Sequence, residues 1–251
     1  MHLPSFDYRS ARTVEEAVAL HAGAAGAAYM AGATDLLPQA RTGRRTLARV
    51  IDVKTIPALR AFADDQGGLR IGAAVPLSDV AADPRVRERW PLLAQCCLAV
   101  GAWPLRNRAT LAGNVCNASP AADTAVALLA LDAIVVAEGP DGSRELPIDG
   151  FFVGPGRSAL APGELVTAIR LTAASAGLKG SYLRLSRRKG LDLATVGVLV
   201  GRRGVSGSAN GSANGGANGG ANGSANGGGN GSASGSANGG GNGSANGSAN
   251  G

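Results

Sequence analysis

Aromatic residues are scarce in this chain, 4% of 251 positions, and the scarcity closes one route at once. A nucleic-acid surface combines a cationic stripe with aromatic stacking platforms. Here the arginines are scattered, so the net charge of +6 reads as local electrostatics and no nucleic-acid partner is expected. The densest cationic run, Arg184 followed by Arg187, Arg188 and Lys189, fits a solvated face or an anion contact. Cysteine is equally sparse. Cys96, Cys97 and Cys116 are odd in number and lack metal-ligand spacing, which supports neither a disulfide framework nor an iron–sulfur cluster within this chain. No apolar run reaches signal-peptide or membrane-spanning length without a charge, so a cytoplasmic location without membrane contact is the expectation. There is no Ser-His-Asp set and no carboxylate pair, so neither a catalytic residue nor a metal site is expected.

The C-terminal stretch lacks the most. From Gly207 to Gly251 a four-residue unit of Gly, Ser, Ala and Asn repeats without one charge, aromatic ring or aliphatic side chain larger than Ala. Nothing there offsets chain entropy, so residues 206–251 are expected to form a flexible tail. All charge and all bulky apolar residues precede it, and that part is long enough for a core.

What the chain does have is concentrated between Ala109 and Asp123, Ala-Thr-Leu-Ala-Gly-Asn-Val-Cys-Asn-Ala-Ser-Pro-Ala-Ala-Asp. Small residues leave the backbone uncovered, while Thr110, Asn114, Asn117 and Ser119 offer hydrogen-bonding side chains. The stretch predicts a ligand loop ending at a helix N-terminus, with Pro120 in the first turn, an apolar helix over 122–130 and Asp123 near its start. A tight turn with an ordinary helix cap fits the same residues.

A second loop has similar character. Ala27 to Ala31 reads as a buried strand running into Gly32-Ala33-Thr34-Asp35-Leu36-Leu37 and a short helix toward Arg41. Successive free N–H groups in such a turn suit phosphate oxygens. The glycine spacing is neither that of a Rossmann fingerprint nor that of a P-loop, and a strand-to-helix turn capped by Thr34 or Asp35 remains open.

Along the rest of the chain, Thr13 to Glu16 forms a capping box for a helix to about His21. Strands are expected at 49–53, 69–73, 133–137, 164–171, 181–185 and 194–200, and a long helix from Pro84 to Val100 with Val86, Trp90, Leu93 and Cys97 on its apolar face. Helices and strands alternate early and strands dominate late, which predicts an α+β fold of at least two subdomains.

Taken together, Ala31 to Leu37 and Thr110 to Asp123 resemble the two flavin-contacting loops of the FAD-binding medium subunit of molybdenum hydroxylases, the xanthine dehydrogenase and carbon monoxide dehydrogenase group. The resemblance extends over Phe6-Asp7-Tyr8, Ile71-Gly72-Ala73, Pro162 to Leu165 and Tyr182 to Arg188. It implies the FAD-binding fold of p-cresol methylhydroxylase and vanillyl-alcohol oxidase. It divides the chain into a first FAD-binding subdomain (1–56), a second (57–172) and a remnant of a C-terminal flavoprotein subdomain (173–205). The implied cofactor is FAD. Tyr29, Met30, Ala31, Gly32, Ala33, Thr34, Asp35 and Leu36 would wrap its pyrophosphate, and Thr110, Gly113 and Asn114 would hold the phosphate and ribityl region from the other side. Asp123 would accept from the adenosine ribose, and Val100, Val166 and Arg184 would approach the flavin or adenine. Leu111, Ala112, Cys116 and Ala122 complete the implied cofactor-binding set.

The resemblance further implies an electron-transfer subunit. A large subunit carrying the molybdenum cofactor and a small subunit carrying [2Fe–2S] clusters would be its partners, in a heterotrimer or its dimer, with electrons passing through FAD to NAD or another acceptor. The chain departs from the family pattern where the C-terminal subdomain gives way to the tail, so a flavin-free scaffold retaining the fold is the alternative. It also departs at Ala33 and Ala112, which stand where many relatives have glycine. An alanine held there at positive φ would be strained.

Overall fold

A computed structural model describes residues 2–188 and 192–203; the repetitive tail, expected to be flexible, lies outside the described residues. The chain starts with β1 (Asp7–Ser10) and α1 (Val14–Ala22). Thr13 Oγ1 accepts from the Glu16 N–H at 3.1 Å, as the capping box predicts, while the Glu16 carboxylate takes the N–H of Arg12. Then come β2 (Ala27–Met30), α2 (Leu36–Arg41) and β3 (Arg49–Asp52). The three strands form a parallel sheet in the order β1-β3-β2. Its core face carries the fully buried Ile51 and Val53 against Ile56 and Leu59.

The next segment builds a second sheet and a helical layer. In chain order it comprises β4 (Phe62–Asp65), β5 (Gly68–Gly72), α3 (Leu77–Ala82), α4 (Pro84–Arg89), α5 (Pro91–Ala99), α6 (Trp103–Arg106), α7 (Leu111–Asn117) and α8 (Asp123–Ala130). These lead into β6 (Ile134–Gly139), β7 (Gly142–Pro147), the short β8 (Phe152–Gly154) and β9 (Arg157–Ser158), and β10 (Leu165–Leu171). Five strands pair antiparallel in the order β4-β5-β10-β6-β7. Central strands β5, β6 and β10 are rich in Ile, Val and Leu because both faces are covered. The helices close over this sheet through one apolar cluster that includes Trp90, Leu93, Leu111, Leu128 and Phe151. Each large aliphatic side chain sealed there contributes about 2 kcal/mol of burial energy. The described chain ends in a hairpin, β11 (Lys179–Ser186) and β12 (Ala194–Arg202).

The mixed architecture agrees with the α+β expectation, and several local expectations change. The long helix from Pro84 is two helices, because the Pro91 ring disfavours the helical conformation at the residue before it. Trp90 accordingly adopts φ −132° and ψ 55°. The apolar face survives the break: Val86, Trp90, Leu93 and Cys97 are all fully buried. Residues 111–117, expected as an irregular ligand loop, form α7. Helix α8 starts at Asp123, leaving Pro120 in the turn before it. Two edge strands, β4 and β7, and the short α6 had no counterpart in the sequence reading.

Candidate functional site

Strand β2 ends at Met30, and Gly32 turns the chain directly against Arg108 and Ala109, the residues that lead into α7. A Cβ on Gly32 would collide with the Arg108 carbonyl oxygen and sit 2.9 Å from Ala109 Cα. Glycine permits that approach, and so the two small-residue motifs become neighbours. The next residue carries the strain foreseen for an alanine: Ala33 has φ 63°, a left-handed conformation costing an L-residue about 1 kcal/mol. Ala112 lies inside α7 with no positive φ, so the second substitution is harmless.

Between the motifs lies a cleft of about 470 Å³. All eight residues from Tyr29 to Leu36 line one side. The N–H groups of Gly32, Ala33 and Thr34 form no hydrogen bond within the described residues. Tyr29 is fixed by a 2.7 Å bond from its hydroxyl to the Gly163 carbonyl and by stacking on His21, with ring centroids 4.7 Å apart. Burial, with the Arg45 charge adding to it, holds His21 below its ordinary pKa.

The facing wall comes from α7 and the first turn of α8. Thr110 Oγ1 accepts from the Gly113 N–H at 3.0 Å and caps α7. The cap explains how a segment containing glycine and two asparagines becomes helical. Val100, Thr110, Gly113, Asn114, Cys116, Ala122 and Asp123 all line the cleft. Burial pushes the Cys116 thiol up to about 12, so it offers the cleft a neutral S–H and not a thiolate. Asp123 is 7% exposed. It accepts from the Tyr182 hydroxyl at 2.6 Å and lies 3.3 Å from the Arg184 guanidinium. A carboxylate has about four acceptor positions, so these two partners leave room for a ligand hydroxyl.

Four residues of the implied set are placed elsewhere. Leu111 and Ala112 point into the core from α7, and Val166 is buried in β10. Arg184 stands behind Asp123, where it also donates to the Ala99 carbonyl. Conversely, Gln39, Arg45, Gly101 and Leu105 line the cleft, as do Asp192 and Leu193 from the terminal hairpin. None sits in a small-residue motif. Of these, only Gln39 had a nearby signal, two residues beyond Leu37 on the helix that the first loop opens.

Residues 4–173 match the family described as the FAD binding domain in molybdopterin dehydrogenase. The chain belongs to this family of FAD-binding domains. It is 35% identical over 199 residues to the carbon monoxide dehydrogenase medium chain of Hydrogenophaga pseudoflava, covering 78% of this chain and 69% of that one. It is 31% identical over 192 residues to a putative xanthine dehydrogenase FAD-binding subunit of Escherichia coli K12, covering 76% and 66%. The chain thus spans about two thirds of the length of these relatives. Among solved structures, carbon monoxide dehydrogenase from Hydrogenophaga pseudoflava superposes with a TM-score of 0.78, covering 82% of this chain and 72% of that one. Quinoline 2-oxidoreductase from Pseudomonas putida 86 gives 0.76 at 26% identity, covering 80% and 70%.

The donor set of this FAD-binding domain suits its cofactor. Three unpartnered backbone N–H groups on one wall are the chemistry a pyrophosphate needs, and the buried Asp123 carboxylate on the other suits a sugar hydroxyl. Main-chain donors close to small residues let a large planar molecule approach without steric penalty.

Proposed function

We propose that this chain is the electron-transfer flavin subunit of a molybdenum hydroxylase complex, with FAD held between the two motifs. The observation that carries the reading is the contact of Gly32 with Arg108 and Ala109, which turns two loops distant in sequence into the walls of one cleft. In this reading the N–H groups of residues 32–34 bind the pyrophosphate, Asp123 accepts from a ribose hydroxyl, and Tyr29 and Leu105 shield the cleft from water. FAD, once bound, supplies the redox chemistry. The protein holds and orients it. The three parts 1–56, 57–172 and 173–205 correspond in this proposal to two cofactor-holding subdomains and an anchored C-terminal remnant.

The partners we propose are a large subunit with a molybdenum cofactor and a small subunit with [2Fe–2S] clusters, whose electrons leave through the flavin to NAD or another acceptor. The similarity to medium and FAD-binding chains of named dehydrogenases supports this. Three free cysteines fit the reducing cytoplasm as the compartment. The test is direct: the FAD-loaded chain is mixed anaerobically with a reduced [2Fe–2S] partner subunit, and the visible flavin absorbance is followed. Bleaching on a turnover timescale supports the role; unchanged absorbance with both proteins associated contradicts it.

A further inference from the structure

Strands β11 and β12 form a sheet of their own, and among the described residues only one of its faces is covered. Tyr182 and Leu199 turn inward, where the hairpin packs on α5 and α8, and both are buried. The alternate positions turn outward: Leu183 (72% exposed) stands across from Val198, Leu185 (67%) from Val196, and Val200 (67%) from Ser181. An aliphatic sheet face of this kind calls for another layer to bury it. At the end of the same face Lys179 stands directly across from Arg202. Like charges opposed across two strands destabilise the pair, and neither cation has an acidic partner among the described residues. The face therefore combines an uncovered aliphatic centre with a cationic end that lacks its anion.

The chemistry of the face selects its occupant. Residues 207–251 contain no charge and no aliphatic side chain larger than Ala, so they bring neither an apolar stripe nor a carboxylate. A second copy fits poorly. Neither β11 nor β12 contains Asp or Glu, so two hairpins laid face to face bring no strand carboxylate to Lys179 and Arg202, and five aliphatic side chains are few against the roughly 20–30 residues per side of a stable interface. An anionic membrane fits poorly as well, because the face lacks the Trp and Tyr side chains that seat a protein among headgroups. The same five anchors do match what a single amphipathic helix presents at positions i, i+3, i+4 and i+7. We infer that the outer face of the hairpin docks an amphipathic helix of another polypeptide, whose aliphatic stripe covers Leu183, Leu185, Val196, Val198 and Val200 and whose carboxylates reach Lys179 and Arg202. None of these residues lines the cleft, so the docking site is independent of what the cleft binds.

The test uses the full chain and two synthetic helical peptides that share one leucine stripe and differ only in the residues flanking it, glutamate in one and lysine in the other. Binding is read by fluorescence anisotropy of a label on the peptide, and folding by thermal unfolding of each protein sample. The glutamate peptide is expected to bind about tenfold more tightly than the lysine peptide, the effect of two surface ion pairs made in place of two repulsions. Added salt narrows that gap. Leu183→Lys with Val198→Lys abolishes binding of both peptides, and Lys179→Ser with Arg202→Ser, which leaves the aliphatic centre intact, makes the two peptides bind alike. Equal affinity of the unaltered chain for the two peptides, or binding of neither, overturns the inference. A discrete dimer of the unaltered chain that Leu183→Lys with Val198→Lys dissolves also overturns it, and assigns the face to a second copy. Binding to phosphatidylserine vesicles that the same pair of substitutions abolishes overturns it in favour of a membrane.

Discussion

The Tyr182 hydroxyl donates to Asp123 Oδ1 at 2.6 Å, joining the terminal hairpin to the first turn of α8 across 59 positions of sequence. Burial, reinforced by this bond, raises the Tyr182 pKa well above its ordinary value. Arg184 approaches the same carboxylate, and Gln95 pairs with both the N–H and the carbonyl of Tyr182. The hairpin is therefore anchored through the residue that also faces the cleft. Tyr182→Phe leaves a buried carboxylate short of one donor, a loss of about 1–3 kcal/mol. Urea unfolding will show it, and hydrogen exchange across 179–186 will accelerate.

Asp123→Ala removes the hairpin anchor together with the acceptor we propose for the ribose. Asp149 is exposed and bonds through its side chain to the neighbouring Gly150 N–H. Flavin retained after purification should fall further in Asp123→Ala than in Asp149→Ala. Equal flavin content in the two variants counts against the role given to Asp123.

Ala33 offers a prediction of opposite sign. Glycine in its place releases the left-handed strain but adds chain entropy to the unfolded state, for a net gain of about 0.5 kcal/mol. The melting temperature should rise slightly in Ala33→Gly, and a fall would show that the Ala33 methyl packs usefully.

His21 makes stability depend on pH. Its folded pKa lies below the unfolded value, so the unfolded chain takes up the proton first as pH falls below about 6.5. The contribution is present above that pH and is lost as pH falls through the lower folded value. His21→Phe keeps a ring against Tyr29 and should flatten the melting temperature just below pH 6.5; an unchanged slope assigns the effect to other groups.

The hairpin turns a second face outward. Leu183, Leu185, Val196, Val198 and Val200 are exposed on it, Leu183 by 72%. They alternate with the inward Tyr182 and Leu199, and Leu183 pairs with Val198 and Leu185 with Val196. An apolar patch of this kind promotes association. Leu183→Lys with Val198→Lys should lower binding of an apolar dye and reduce light scattering while the melting temperature holds.

Much of this was legible in the sequence because it rests on local chemistry. The capped helix after Thr13, the turn of the first motif and most strands follow from residue type and spacing. Helix α7 was hidden because Gly113, Asn114 and Asn117 are weak helix formers; its existence depends on the Thr110 cap and on Leu111 and Val115 packing into the core. Strands β4 and β7 were hidden because edge strands are polar: Asp64, Asp65, Arg144 and Glu145 carry no alternation of buried residues. At the cleft, the motif residues were readable as small and polar. Arg45 and Leu105 were not, since only the fold brings them to it.

The most direct measurement is a titration of FAD into the purified, flavin-free full chain, compared with Gly32→Val, both checked for folding by circular dichroism. The account predicts saturable binding of one FAD per chain by the unaltered protein and its loss in the variant, where the added side chain forces Arg108 and the second motif away. Binding of equal affinity by the two folded proteins, or no saturation in the unaltered one, would contradict it.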